Sequence, residues 1–300
     1  MLKSTKIILI TAGVLVGLGL IIGGIAMGIS RIRYGGVANM YNSANESAEY
    51  ARQSMEIKEH IENLEVSQVS SDINILLSDK DMVYVEYTDG PDYTNEIEVA
   101  GNTLTIRFKN RVPWYHKMGW FNIGSFFGDS DYEVEPVDIY LPADVYDEVE
   151  LTTVSGNINV ASGLECDELS MVTVSGEIKA ESIKADDKVS IDATSGEIDL
   201  KNLETGGLDV NTVSGSITAE SVKAQKTDID TTSGDIALDG FDCEDTDIDT
   251  TSGDIRIYAV VEVNVSVNTV SGDVDIENNS PSGHPMNIDT TSGDVTVRKK

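Results

Sequence analysis

From Leu151 to the C-terminus, apolar and polar residues alternate with a period of two, and the alternation passes through a recurring Ser-Gly pair. The serines are Ser155, Ser175, Ser195, Ser214, Ser233, Ser252, Ser271 and Ser292, at spacings of 20, 20, 19, 19, 19, 19 and 21. Four residues before each stand Leu151, Met171, Ile191, Val210, Ile229, Ile248, Val267 and Ile288. Three residues after each stand Ile158, Ile178, Ile198, Ile217, Ile236, Ile255, Val274 and Val295. Burial every second residue on both sides of the pair predicts a strand, a corner and a strand in each copy. A third apolar strip follows at Leu164, Ile183, Leu203, Val222, Phe241 and Val261, and no helical period is present. A repeat near 20 residues predicts a solenoid, each copy one coil stacked on the next. The expected fold is all-β: a right-handed parallel β-helix from about Val137 to Val297 with 19–21 residues per coil, because parallel crossovers are overwhelmingly right-handed.

Equivalent positions in such a stack lie ~4.8 Å apart, so each column must keep one shape. Gly156, Gly176, Gly196, Gly215, Gly234, Gly253, Gly272 and Gly293 are expected in one line, because the corner needs a conformation closed to other residues, with positive φ. "VSSDINI" at Val69 reads as a degenerate further copy, with Ser71 at the glycine position. Cys166 and Cys243 fall in one column, four coils apart, or ~19 Å. A disulfide needs Cα atoms within about 7 Å, so both are expected to be free core thiols.

Ahead of the repeats, "LEVSQVSSDINIL", "MVYVEY", "NTLTIRF" and "VDIYLP" read as half-buried strands, with turn chemistry at Gly90-Pro91. An interruption before "VDIYLP" holds Trp114, Tyr115, Trp120, Phe121, Phe126 and Phe127. Two readings stay open for it. It caps the apolar end of the first coil, or it is an exposed loop that touches a bilayer interface or a partner. Residues Ile7–Ile29 carry no charge across 23 positions, and ~20 suffice to span a bilayer. Lys3, Lys6, Arg31 and Arg33 flank this run. It reads as an uncleaved transmembrane helix, with a cleavable signal peptide as the rival. The expected location is the cell membrane, single-pass, with the C-terminal domain extracellular. Gly13, Gly17, Gly24 and Gly28 share one face of that helix, a pattern that permits self-association. A weak heptad at Val37, Tyr41, Ala44, Ala48, Ala51 and Met55 predicts a juxtamembrane helix or stalk. The organisation is therefore an anchor over 1–33, a stalk over 34–60, strands with the aromatic insertion over 61–136, and solenoid repeats over 137–300.

Charge narrows the partners. With 52 acidic against 21 basic residues the net charge is -31, which excludes nucleic acid and bare anionic lipid and favours cations or basic proteins. Two residues after the serines stand Asn157, Glu177, Glu197, Ser216, Asp235, Asp254, Asp273 and Asp294. Three residues before stand Thr152, Val172, Asp192, Asn211, Asp230, Asp249, Asn268 and Asp289. Both columns are expected to point outward. Stacked carboxylates repel, so Asp230, Asp235, Asp249, Asp254, Asp273, Asp289 and Asp294 are candidate Ca²⁺ ligands. The alternative is that solvated acids keep a repetitive strand surface from aggregating. Chemistry has little else to stand on: His60, His116 and His284 sit in unrelated settings, and no phosphate loop, zinc spacing or nucleophile elbow occurs. No enzyme activity and no further cofactor are expected. Arg298, Lys299 and Lys300 end the chain, where cations discourage end-to-end stacking of a last coil or form a membrane-binding tail.

The ordered series "IENLEVSQVSSDINILLSDKDMVYVEY", "NTLTIRF", "VDIYLP", then repeated "TVSG" and "TTSGDI", resembles the adhesin family of bacterial DUF4097-type domains over roughly Ile61 to Val297. The anchored arrangement is similar to the LiaG-like proteins of Gram-positive bacteria. The resemblance implies a β-solenoid at the cell surface with a loose link to envelope stress, and it supplies no catalytic residues. The expectation is a non-enzymatic, membrane-anchored surface solenoid that binds or senses an envelope component. The alternatives are an enzyme acting on an envelope polysaccharide and a purely structural spacer.

Overall fold

A computed structural model describes residues 50–91, 93–110 and 135–300. The apolar run at 7–29 with its four glycines, the heptad positions before Tyr50, and the aromatics from Trp114 to Phe127 lie outside these residues. Every regular element among the described residues is a strand.

The repeats stack as the alternation predicts. Strands β8 (Val145–Thr153), β10 (Glu165–Ser175), β11 (Ile178–Ser195), β12 (Ile198–Ser214), β13 (Ile217–Ser233) and β14 (Ile236–Ser252) pair in parallel, coil upon coil. The short β9 (Ile158–Val160) pairs with the start of β11. Ile178, Ile198, Ile217, Ile236 and Ile255 are register partners in turn, and all are buried. One continuous apolar core runs the length of the stack, and each buried aliphatic side chain in it contributes ~1.5–3 kcal/mol. The two coils of 20 residues accommodate their extra residue at bulges near 161–163 and Asp186–Asp187.

The eight glycines form the expected line. A Cβ added at Gly234 would meet the carbonyl of Gly215, one at Gly253 that of Gly234, and one at Gly156 the carbonyl of Ser71. The left-handed conformation holds at six of them, for example Gly234 with φ 142°, whereas Gly156 and Gly176 need glycine for the close approach alone. A second corner lies seven residues beyond the serine. There Ser182, Asn202 and Ser221 have φ of 54°, 52° and 57°, in line with Gly240 at 70°. Small residues that tolerate this region recur at the offset, and that recurrence was its only sequence signal.

The order of the last coils departs from expectation. β14 pairs not with β16 (Val263–Ser271) but with β18 (His284–Ser292), and β16 pairs with the other edge of β18. Likewise β19 (Val295–Lys299) lies between β15 (Ile255–Ala259) and β17 (Val274–Ile276). The chain skips a level and then returns to fill it through 277–283, where Pro281 and Gly283 break the strand pattern. The glycine line accordingly reads Gly234, Gly253, Gly293, Gly272. The C-terminal cations therefore do not guard an open edge. Arg298 pairs with Asp275 at 2.8 Å, Lys299 with Glu262 at 3.5 Å and Lys300 with Asp239 at 2.9 Å.

Upstream, β2 (Asn63–Ser67) and β3 (Ile73–Ser78) form a parallel coil against β8 and β9, with Ser71 at the corner. Outside it lies a further coil of β6 (Thr103–Asn110) and β7 (Val137–Pro142). Next come antiparallel strands β4 (Val83–Asp89) on β7 and β5 (Tyr93–Ala100) on β6. β1 (Ala51–Ile57) is antiparallel to β4. The heptad predicted a helix or stalk through Ala51 and Met55, and this segment is instead a strand. Pairing with β4, burial of Ile57 and ion pairs from Arg52 to Glu86 (2.8 Å) and to Asp138 outweigh a weak helical pattern.

Gly234→Val is expected to lose roughly 2–4 kcal/mol, because backbone strain and a clash with the neighbouring coil act together. Gly207→Ala, where a Cβ meets only ordinary contacts, should change stability by less than about 0.5 kcal/mol. Urea unfolding of the two variants makes the comparison.

Candidate functional site

The two acidic columns have different surroundings. In the column two residues past the serine, three carboxylates, those of Asp235, Asp254 and Asp294, each accept a hydrogen bond from a backbone N–H of the next coil. Asp254 N–H donates to Asp235 Oδ1 (2.9 Å), Asp294 N–H to Asp254 Oδ1 (3.0 Å) and Asp273 N–H to Asp294 Oδ1 (2.8 Å). The same device opens the stack, where Asn157 N–H donates to Asp72 Oδ1 (2.7 Å) and Glu177 N–H to Asn157 Oδ1 (2.8 Å). Asp254 is further engaged by Arg256 through Oδ2 at 2.7 Å. These acids therefore have a structural use: they satisfy amides at the bend, where the ladder geometry is interrupted.

The column three residues before the serine is outward but close-packed. Asp249 and Asp289 are register partners and only 4% and 7% exposed. They stand 40 positions apart in the chain and meet because the coils are exchanged. Asn268 Nδ2 donates to Asp289 Oδ1 at 2.7 Å from the far side. Asp247, two residues before Asp249 on the same strand face, completes a group whose carboxylate oxygens lie within 4.8 Å of one another. Three carboxylates at this spacing, two of them buried, fit a hard cation that takes oxygen ligands. The structure thus brings Asp249 and Asp289 together with Asp247, which lies in neither acidic column of the repeat, and assigns Asp235, Asp254 and Asp294 to backbone capping. Asp230 continues the column next to Asp249. Further along, burial pushes the Asp192 carboxyl above the ordinary carboxylate range, with Asn211 opposing the shift and Asp209 reinforcing it.

The thiols do not contribute a site. Cys166 and Cys243 are free and buried in one column through Ala185, Thr205 and Ala224. Burial, with Asp167 and Asp186 nearby, pushes the Cys166 thiol up to about 12, which keeps it protonated and unreactive. An open groove of about 490 Å³ lies over Gly206 and Gly207, lined by Asp186, Lys188, Asp209 and Lys226. Its charges are mixed, and Lys188 is paired with Asp209 at 3.0 Å.

The profile of the Toastrack DUF4097 family matches residues 61–299. Among curated proteins none matches. Solved structures to which the chain is similar include a "putative adhesin" from Parabacteroides distasonis, 19% identical, covering 83% of this chain and 97% of its own, with a TM-score of 0.46. A "putative lipid binding protein" from the same organism is 20% identical, covers 83% and 96%, and has a TM-score of 0.43. A "putative cell adhesion protein" from Clostridium sporogenes is 10% identical, covers 84% and 100%, and has a TM-score of 0.33.

If the group at Asp247, Asp249 and Asp289 takes Ca²⁺, calcium should raise the melting temperature beyond the effect of NaCl at matched ionic strength. Asp249→Asn with Asp289→Asn should abolish that gain. Asp235→Ala should instead cost about 1–2 kcal/mol through the lost acceptor and leave the calcium response intact.

The raised Asp192 carboxyl gives a prediction of opposite sign to that for a paired acid. The folded state holds this proton more tightly than the unfolded chain, so stability falls as pH rises through the carboxylate range and just above it. Asp192→Asn is therefore expected to raise stability at neutral pH and to have little effect in acid, as read by urea melts at the two pH values.

Proposed function

The chain belongs to the Toastrack DUF4097 family, and from that premise we propose that it is a non-enzymatic, membrane-anchored surface solenoid that binds an envelope component. One observation carries the reading. The described strands bring the flanks of the two segments richest in membrane chemistry to the same edge of the same end of the stack. β1 begins at Ala51, opposite Asp89 on β4. β6 ends at Asn110, opposite Tyr93 on β5. β7 begins at Val137, opposite Ile73, just past the corner at Ser71. The chain arriving from the apolar run and the insertion with Trp114, Tyr115, Trp120, Phe121, Phe126 and Phe127 thus both join the fold at this corner. Beside it Tyr93 stacks on Phe108 with ring centroids 5.3 Å apart, and Tyr50 packs tilted against Tyr93 at 5.8 Å.

We favour the contact loop over the cap because β4 and β5 extend the stack beyond the first coils, with Val83, Val85 and Tyr87 buried and Ile97 and Val99 packed on the core. In this reading the N-terminal end faces the bilayer, the insertion touches the interface, and the remaining coils extend outward at ~4.8 Å each. The repeated surface offers a ladder rather than one convergent cleft, which suits binding better than catalysis.

Replacing Trp120 and Phe121 with Ser is expected to leave the melting temperature unchanged and to reduce association with phosphatidylcholine liposomes. A large loss of thermal stability with intact liposome binding would return the insertion to the role of a cap. Turnover of cell-wall glycans by the purified chain would overturn the non-enzymatic reading.

A further inference from the structure

The geometry points to the opposite end of the stack as a homodimer interface: the coil of β16 and β17 docks the same coil of a second copy of this chain. Among the described residues β16 pairs on one edge only, with β18, and β17 only with β19. The orientation of the backbone groups is fixed by their partners. Glu262 C=O accepts from His284 N–H on the inner side at 2.9 Å, while Val263 C=O accepts from Ser280 N–H at 2.8 Å on the outer side. Val265 N–H also points outward, to Asn279 Oδ1 at 3.1 Å. The loop at 277–283 thus covers the start of the outer edge, and from Val267 onward no described strand lies against it. The apolar interior of the coil is open as well: Val265, Val267 and Ile276 are only partly buried and Val274 is 44% exposed, while Val270 on the outer face is 82% exposed.

An exposed edge of this kind is normally protected by charge, proline or a covering element. Here the loop at 277–283 covers only the start of the edge, and the rest of β16 is left without such protection in a chain that has 52 acidic residues. β16 reads VNVSVNTVS, without a charge or a proline. Neighbouring coils place Asp228, Asp247, Asp230, Asp249 and Asp289 in the columns where β16 carries Ser266 and Asn268. The outer strands of the other end keep their charges, Arg52 and Glu56 on β1 and Glu96 and Glu98 on β5.

This contrast selects the occupant. A basic partner would find no acid on β16 to recognise. A single extended peptide would pair with β16 but leave Val274, Ile276 and the open interior uncovered. The charged, closed N-terminal end of another copy does not match. The same end of a second copy has the same cross-section, brings no charge along β16 and on β17 only Asp275, already paired with Arg298 at 2.8 Å, and can pair its β16 antiparallel about a two-fold axis. Such a contact is self-complementary and closes as a dimer instead of growing into a filament.

The test uses the full chain in detergent micelles, with mass measured by light scattering. Ser266 and Val270 are exposed, and the register partner of Ser266 is Asn287 rather than an acid, so charge can be introduced without harm to the fold. The wild type should dimerise. Ser266→Lys with Val270→Lys, and separately Ser266→Asp with Val270→Asp, should each raise the dimer dissociation constant at least tenfold with an unchanged melting temperature. An equal mixture of the two variants should recover the dimer. A monomeric wild type overturns the proposal. So does a dimer that survives in both charged variants, which would place the contact elsewhere, such as the glycine face of residues 13–28. Charged variants that separate but fail to re-pair on mixing also overturn it. None of these results depends on membrane orientation, so the pairing and the proposed function fail independently.

Discussion

At the Ser-Gly corner the backbone of each coil lies so close to the carbonyl of its neighbour that a single methyl carbon has no room, and the rest of the stack inherits its register from that contact. A corner that admits only glycine fixes which residues face each other for several positions on either side. Once Gly215 sits on Gly196, Val210 must sit on Ile191 and Ile217 on Ile198. A slip of one residue would turn every apolar column outward. The repetition in the sequence is therefore a packing constraint written once per coil, and the uniform β-branched columns follow from it.

The same register creates an electrostatic difficulty and part of its solution. Stacking puts carboxylate above carboxylate, which is unfavourable at strand spacing. At the bend the strands also leave amides without a ladder partner, and a carboxylate two residues past the serine is in reach of the amide one coil away. Asp235, Asp254 and Asp294 each meet such an amide, so repulsion along the column is set against charge-assisted hydrogen bonds of about 1.5–3 kcal/mol. Asp247, Asp249 and Asp289 are brought together instead by the exchange of coils, which sets Asp289 beside Asp249, and their carboxylate oxygens lie within 4.8 Å of one another, the spacing suited to a cation.

Much of this was legible in the sequence because columns are local statements repeated many times. The glycine line, the inward strips and the two free thiols needed only offsets from a serine. The coil exchange was not legible. Repeats at 252, 271 and 292 look alike, and any order among them satisfies the same columns; the distinguishing feature, the loop from Glu277 to Gly283, reads as an ordinary turn. β1 was misread because Ala51 and Met55 fit a sparse heptad, while its real partners, β4 and Asp138, lie 26 to 86 residues away. The pairing of Asp249 with Asp289 depends on the exchange and was hidden with it.

The exchange also decides which strand carries a free edge. Coils stacked in chain order would leave β19 paired on one edge only. By stepping over a level and returning, the chain seats β19 between β15 and β17, so the terminal strand is paired on both edges and Arg298, Lys299 and Lys300 are neutralised by acids of adjoining coils. The free edge is not removed but transferred to β16, an internal segment tethered at both ends and devoid of charge. The difference matters physically. A fraying terminal edge pairs with anything extended, whereas an edge held at both ends presents one fixed register, and fixed register is what allows an open strand to select a single partner.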